Sequence, residues 1–147
     1  MGCIGIAFIC NFIENINFNK LIPNLNIRIP ATAVIGANEF DKFVESNNLY
    51  DDIYSLNDYE SIRQHFLESE FDEKMKNRLM EYLGEMTQPL AVRSSGLFED
   101  SLLQPFSGVY ATYLVPNNHE NIEIRYQQLE TAIKLVYASI FTESALA

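Results

Sequence analysis

The run Leu90-Ala-Val-Arg-Ser-Ser-Gly-Leu-Phe-Glu-Asp-Ser101, continued by Pro105-Phe-Ser-Gly108 and by residues 109–112, places the tightest constraint on the fold. Leu90 to Val92 reads as a short buried strand that ends on Arg93. An arginine at the end of a buried strand is costly unless an anionic or polar group receives it. Ser94, Ser95 and Gly96 beside it keep backbone N–H groups accessible, as an anion site requires. A chain that folds around this run must bring a strand end and a loop of small residues to a place that phosphate can reach. A second strand is expected from Gly108 to Val115, hairpin-paired with the first or lying next to it.

The rest of the chain reads mainly as helix. Ile6, Phe8, Ile9, Phe12, Ile13 and Ile16 fall at helical spacing and predict a core helix through about Asn17. Asn and Pro cluster over Asn17 to Asn26 as a loop. Ile27 to Ile35 is β-branched with Pro30 inside, which predicts a short or edge strand. After Gly36, Asn38 is the expected N-cap of a helix carrying Phe40, Phe43 and Val44. The pattern weakens between Leu49 and Leu56, where Asp51 and Asp52 read as a solvated loop. Asn57 or Asp58 starts a helix with Tyr59, Ile62 and Phe66. Phe71 to Met86 is amphipathic through Met75, Leu79, Tyr82 and Leu83, stopping between Gly84 and Pro89. Beyond Pro116-Asn-Asn118, Asn118 is the expected cap of a long helix bearing Ile122, Tyr126, Leu129, Ile133, Val136, Tyr137 and Ile140. The expected class is α+β (mixed α/β), with helices outnumbering strands.

With 147 residues, 48% of them hydrophobic, the chain has enough apolar material for one globular core. Twenty acids against ten bases give a formal net charge of -10, which repels nucleic acid backbones and anionic membranes. Positive charge is scarce, so an anionic ligand directs attention to Arg93. Cys3 and Cys10 have no metal-ligand spacing and form no disulfide framework; they read as small apolar fillers in a reducing compartment. Gly5 to Ile16 lacks a basic flank and a cleavage site and is too short to span a bilayer. Met1-Gly2 opens like a myristoylation signal, but Ile6 stands where Ser or Thr is required. A soluble, cytoplasmic protein with neither a nucleic acid nor a membrane as partner is the expectation.

Leu90 to Ser101 with Pro105 to Gly108 resembles the nucleotide-binding domain of the phosphoenolpyruvate synthase and pyruvate phosphate dikinase family. Its pattern there is A-V-R-S-S, a short gap, E-D, then a glycine loop. Ile29-Pro30 with Ala33-Val-Ile-Gly36 and Glu39-Phe-Asp-Lys-Phe43 is similar to the family's proline–strand–helix segment. Val136-Tyr-Ala-Ser-Ile-Phe-Thr-Glu143 is similar to its V-W-A-S-L-F helix end. The resemblance implies a helix-rich N-terminal subdomain of an ATP-grasp-like domain. In the family, ATP phosphorylates a histidine on a separate domain, and the phosphoryl group then passes to pyruvate. ATP and Mg2+ are the implied cofactors. Arg93, Ser94, Ser95 and Gly108 are the implied phosphate contacts. Glu99 and Asp100 are implied either in magnesium binding or in orienting Arg93.

The chain departs from the pattern at three points. No lysine precedes Lys20, Ala111 stands at a position usually acidic, and Ser144 replaces an arginine. The family's second ATP-grasp half, phosphohistidine domain and pyruvate domain find no counterpart in residues 1–147, so a partial nucleotide-binding domain is expected, completed by further domains or a complementary chain. Such a piece is expected to be inactive alone and to self-associate through an exposed apolar face. The alternative is a degenerate, non-catalytic regulatory or interaction module. Bland readings stand beside the sharp ones. Arg93 can pair structurally with Glu99 or Asp100, and Gly108 can serve only a tight turn. His65 and His119 read as surface or capping residues. Ser94 and Ser95 lack the base that a serine nucleophile needs.

Overall fold

A computed structural model describes residues 8–9, 11–13, 15–16, 30–55, 58–95 and 111–142, the side chain of Asp52 excepted. The chain divides into two compact units, one of residues 1–35 and 95–106, the other of residues 36–94 and 107–147.

In the first unit the described residues 8–9, 11–13 and 15 are helical, as the apolar spacing predicts. The Phe8 and Phe12 rings stack one turn apart at 6.2 Å, and the Asn15 side-chain amide donates to the Asn11 carbonyl at 2.7 Å. Phe8, Ile9 and Phe12 are nonetheless exposed, so this is not the core helix expected. Helical spacing sets which residues share a face and leaves open what covers that face. Residues 30–35 are exposed and form no strand, which corrects the strand expected over Ile27 to Ile35 in its described part. Pro30 has no N–H to give a ladder, and the Thr32 hydroxyl donates back to the Pro30 carbonyl at 3.1 Å.

The second unit is built on capped amphipathic helices. Helix α1 (Ala37–Ser46) is capped by Gly36, not by Asn38. Asn38 lies inside the first turn, where its side-chain amide donates to Glu39 Oε1 at 3.2 Å. Phe43 and Val44 turn inward as expected. Asn48, at φ 55°, turns the chain into helix α2 (Leu49–Ser55). That helix replaces the predicted loop: Leu49 is buried and Ile53 half-buried four residues on, a spacing that anchors one helical face. Asp58 accepts from the Ser61 N–H at 2.8 Å and starts helix α3 (Tyr59–Glu68). Asp72 accepts from the Met75 N–H at 2.7 Å and starts helix α4 (Glu73–Glu85). The Asn47 side chain joins these parts, donating to the Glu70 carbonyl at 3.0 Å and accepting from the Glu70 N–H at 3.1 Å.

Strands β1 (Leu90–Arg93) and β2 (Thr112–Val115) pair antiparallel as the one sheet among the described residues. Helix α5 (Ile122–Ala138) follows, continued by a 3-10 turn over Ser139–Phe141. Its cap is Asn121, accepting from the Glu123 N–H at 2.9 Å, three residues beyond the expected Asn118. His119 supports that start, its Nδ1 accepting from the Asn121 N–H at 3.0 Å. Tyr126, Leu129, Ile133 and Tyr137 of α5 meet Phe43, Phe66, Leu79 and Leu83 in one buried cluster. Each such side chain is worth about 1.5–3 kcal/mol in burial. The class is α+β and helix-rich, as the sequence predicts.

Candidate functional site

Residues Leu90 to Arg93 are extended because they pair with Thr112–Val115 and because alternate side chains have a core to meet. Leu90 and Val92 lie half-buried on the inner face, with Val115 of β2 buried beside them. Ala91, Arg93, Thr112 and Leu114 form the exposed outer face. The strand is therefore one-sided, not buried as expected: one helical layer covers a two-stranded sheet from one side only. The register pairs Leu90 with Val115, Ala91 with Leu114, Val92 with Tyr113 and Arg93 with Thr112. Side chains directly opposite in an antiparallel pair have Cβ atoms about 4.5–5.5 Å apart. The Arg93 guanidinium and the Thr112 hydroxyl thus issue from neighbouring points on the same open face.

Arg93 Nε points to the Ser94 carbonyl at 3.5 Å. Ser94 is half-buried and Ser95 is exposed. Gly108, Glu99 and Asp100 lie outside the described residues. Ala111, half-buried, donates its N–H to Ser139 Oγ at 3.3 Å, and that hydroxyl donates to the Val136 carbonyl at 2.7 Å. The start of β2 is thereby attached to the end of α5.

At the other end of the hairpin a buried polar cluster holds its root. Asn117 is 1% exposed and sits at φ 50°, a left-handed conformation that asparagine tolerates better than most residues. Its Nδ2 donates to the carbonyls of Met86 and Gln88, each at 2.9 Å. Arg125, itself buried on α5, donates from Nε to Asn117 Oδ1 at 2.7 Å and from one terminal nitrogen to the Leu83 and Met86 carbonyls at 2.5 Å. Gln88 and Asn117 would face each other if the ladder ran two residues further. The side chain of Asn117 thus continues the hairpin where its own backbone has turned away.

Three of these residues escaped the sequence reading. Thr112 was legible from strand alternation once the hairpin partner was fixed. Arg125 had a signal: a cation four residues before Leu129 and three after Ile122, on the apolar stripe of the last helix. Asn117 carried only the turn preference of Pro116-Asn-Asn118.

An exposed guanidinium paired across a strand with a hydroxyl, on a hairpin fixed at its root, suits an oxyanion ligand. Residues 14–147 match the family described as "Pyruvate phosphate dikinase, AMP/ATP-binding domain", and the chain belongs to that family. It is also similar to the phosphoenolpyruvate synthase of Aquifex aeolicus (strain VF5), 29% identical over 156 aligned positions that take in 90% of this chain and 17% of that protein. The chain thus spans about a sixth of that relative's length. No solved structure matches the chain significantly. Among the described residues, no group of three or more His, Cys, Asp or Glu side chains is placed to hold a metal ion, and no helix is long and apolar enough to cross a membrane.

Proposed function

We propose that this chain supplies the phosphate-contacting, N-terminal part of the ATP site in a phosphotransferase of the phosphoenolpyruvate synthase type. The observation that supports this best is the pairing of Arg93 with Thr112 on an open hairpin face, in a chain that belongs to an AMP/ATP-binding family. Arg93 offers a planar cationic fork to phosphate oxygens, and Thr112 a hydroxyl that reorients to suit them. Ser94 follows directly, and Ser95 and Gly108 join the role on the resemblance alone. Phosphoryl transfer asks the protein mainly to position phosphates and to neutralise spreading charge, which these groups suit. Magnesium, when bound with ATP, would share that neutralisation; Glu99 and Asp100 are the residues implied for it.

On this reading, residues 1–147 are a partial ATP-grasp-like domain. Its remainder, the phosphorylated histidine and the pyruvate site come from further domains or a complementary chain, and the piece alone turns nothing over. A cytoplasmic setting accords with that role. Titration of the full chain with ATP tests the proposal. Arg93→Ala is expected to weaken binding at least about tenfold, the worth of a charge-assisted hydrogen bond. Unchanged affinity overturns the phosphate role.

Ala111 favours a second reading, a non-catalytic module derived from the same domain. A methyl group stands where the resemblance calls for an acid, and its N–H is held by Ser139. ATP binding without phosphorylation of a supplied histidine domain, in an assembly completed by the missing half, would favour this reading.

A further inference from the structure

The nucleotide reading makes no use of a cleft between α1 and the start of α4, a cavity of about 310 Å3. Phe43 and Met75 are its buried lining, and Phe71 stands half-buried beside them. Around these lie the acids Glu39, Glu45 and Asp72 against the single cation Lys42. The cleft therefore joins aromatic surface to an excess of negative charge. Glu39 is the most enclosed of the acids: its side chain is 16% exposed, and Oε1 is approached by Lys42 at 3.1 Å and by Arg78 at 3.6 Å. Both cations are more than half exposed. Such pairs contribute little, so an incoming cation can displace Lys42 at small cost. Asn38 also donates to Oε1, whereas Oε2 takes no hydrogen bond among the described residues. The Tyr137 ring packs against both Phe43 and Phe71, at 5.7 and 6.1 Å. Its hydroxyl, near Glu39, is buried without a partner among the described residues. Two polar oxygens on this side of the core are thus left unfilled.

We infer that this cleft docks an arginine-bearing, basic segment of a partner polypeptide, with the guanidinium against Glu39 and its stem along Phe43, Phe71 and Met75. A guanidinium forks onto a carboxylate and lies flat on an aromatic face, which an ammonium does less well. The arginine stem covers apolar surface while its head stays with the acids. A chain of formal net charge -10 attracts a basic partner and repels both anions and a second copy of itself. The cavity lies at the lower limit of small-molecule sites, about 300–1,000 Å3. It opens to solvent between the exposed Lys42, Glu45 and Asp72, as a seat for one side chain of a larger body does.

The test measures binding of a fluorescent peptide of alternating arginine and leucine to the full chain, beside the same peptide with neutral citrulline for arginine. The arginine peptide is expected to bind saturably, and citrulline to weaken it at least about tenfold, the worth of a charge-assisted hydrogen bond. Glu39→Gln is expected to cost about tenfold as well. Glu45→Lys alters an exposed rim residue, keeps the fold by thermal melt, and is expected to cost about fivefold. It carries the test should Glu39→Gln not fold. Glu81→Lys makes the same charge change on α4 outside the cleft and is expected to cost less than about twofold. Equal losses from Glu45→Lys and Glu81→Lys overturn the proposal, by showing a general attraction to an acidic body. Equal binding of the two peptides, or no saturable binding, overturns it too. Agmatine, a small guanidinium amine, binding as tightly as the peptide overturns the polypeptide partner. Self-association of the chain that Glu45→Lys abolishes overturns it in favour of a second copy. None of these outcomes touches the phosphate role of Arg93, which ATP titration tests separately.

Discussion

Two arginines sit at opposite ends of the same hairpin, and their surroundings differ in kind. Arg125 at the root is 9% exposed, and its acceptors are an amide oxygen and two backbone carbonyls of the chain itself. Its charge also lies at the carbonyl end of α4, where the helix dipole favours a cation. Arg93 near the tip is exposed, on a face whose neighbours are a hydroxyl and two apolar side chains. One guanidinium is enclosed by the chain's own oxygens, whereas the other lies exposed on the surface. The difference shows why residue type alone does not mark a site: an arginine enclosed by carbonyls has a structural use, and an arginine exposed at a strand end calls for a binding test.

Substitution at the root is expected to have the largest effect. Arg125→Ala leaves Asn117 Oδ1 and the Leu83 carbonyl without their donor inside the fold, and is expected to cost about 4 kcal/mol in urea unfolding. Asn117→Ala is expected to cost about 3 kcal/mol, since it removes two hydrogen bonds to backbone carbonyls and puts at positive φ a residue that tolerates it less well than asparagine. Asn117→Gly should recover about 1 kcal/mol of that loss, because glycine adopts the left-handed conformation freely. Equal stabilities for the alanine and glycine variants would show that the side-chain bonds, and not the backbone conformation, account for the whole effect.

The root also shows what the sequence made legible. The cap at Asp58 was legible as one of two candidates, beside Asn57. The helix expected from Phe71 starts two residues later, behind an Asp72 cap that the apolar spacing did not mark. The hairpin was legible from Leu90-Ala-Val-Arg93 and the alternation before Val115. The stripe of the last helix was legible too, though its start lay at Asn121 and not Asn118; consecutive asparagines and a histidine offer several caps, and tertiary contacts choose among them. Asn38 failed as a cap because the helix already starts behind Gly36, two residues earlier. Helix α2 was missed because seven residues give too short a window for periodicity to outweigh two adjacent acids. The Arg125–Asn117 cluster was not legible at all, since its partners are backbone carbonyls that carry no sequence signal. At the candidate site, Arg93 and Ser94 were found from local chemistry, whereas Thr112 needed the strand register.

Alkaline titration probes the core behind the hairpin, where buried tyrosines lie. The Tyr137 phenol is pushed up to about 12, first by burial and then by the nearby Glu39 carboxylate. Burial and Glu130 likewise raise Tyr126. In the unfolded chain tyrosine ionises near about pH 10. Between about pH 10 and 12 the unfolded chain releases these protons while the folded chain keeps them, so stability falls as pH rises through that window. Thermal melts from pH 7 to 11.5 are expected to be level below about pH 9.5 and to decline above it. The Tyr137 hydroxyl is buried with no hydrogen-bond partner among the described residues. Tyr137→Phe is therefore expected to leave stability at pH 7 unchanged or raise it by about 1 kcal/mol, and to reduce the alkaline decline. A Tyr137→Phe decline as steep as that of the parent would assign the loss to Tyr126 or to another tyrosine.

The smallest expected effect on stability belongs to Arg93, and it is the one that decides the comparison. An exposed side chain at a strand end contributes little to folding, so Arg93→Ala should shift the unfolding free energy by no more than about 0.5 kcal/mol. The same variant is expected to lose most of the affinity for ATP. Arg125→Lys gives the mirror result: lysine keeps the charge but cannot span an amide and two carbonyls as a planar fork does, so stability falls while any residual folded protein keeps its nucleotide affinity at low temperature. If Arg93→Ala instead destabilises the chain as much as Arg125→Ala does, the tip arginine is a structural residue like the one at the root. The hairpin would then have two anchors and no presented cation.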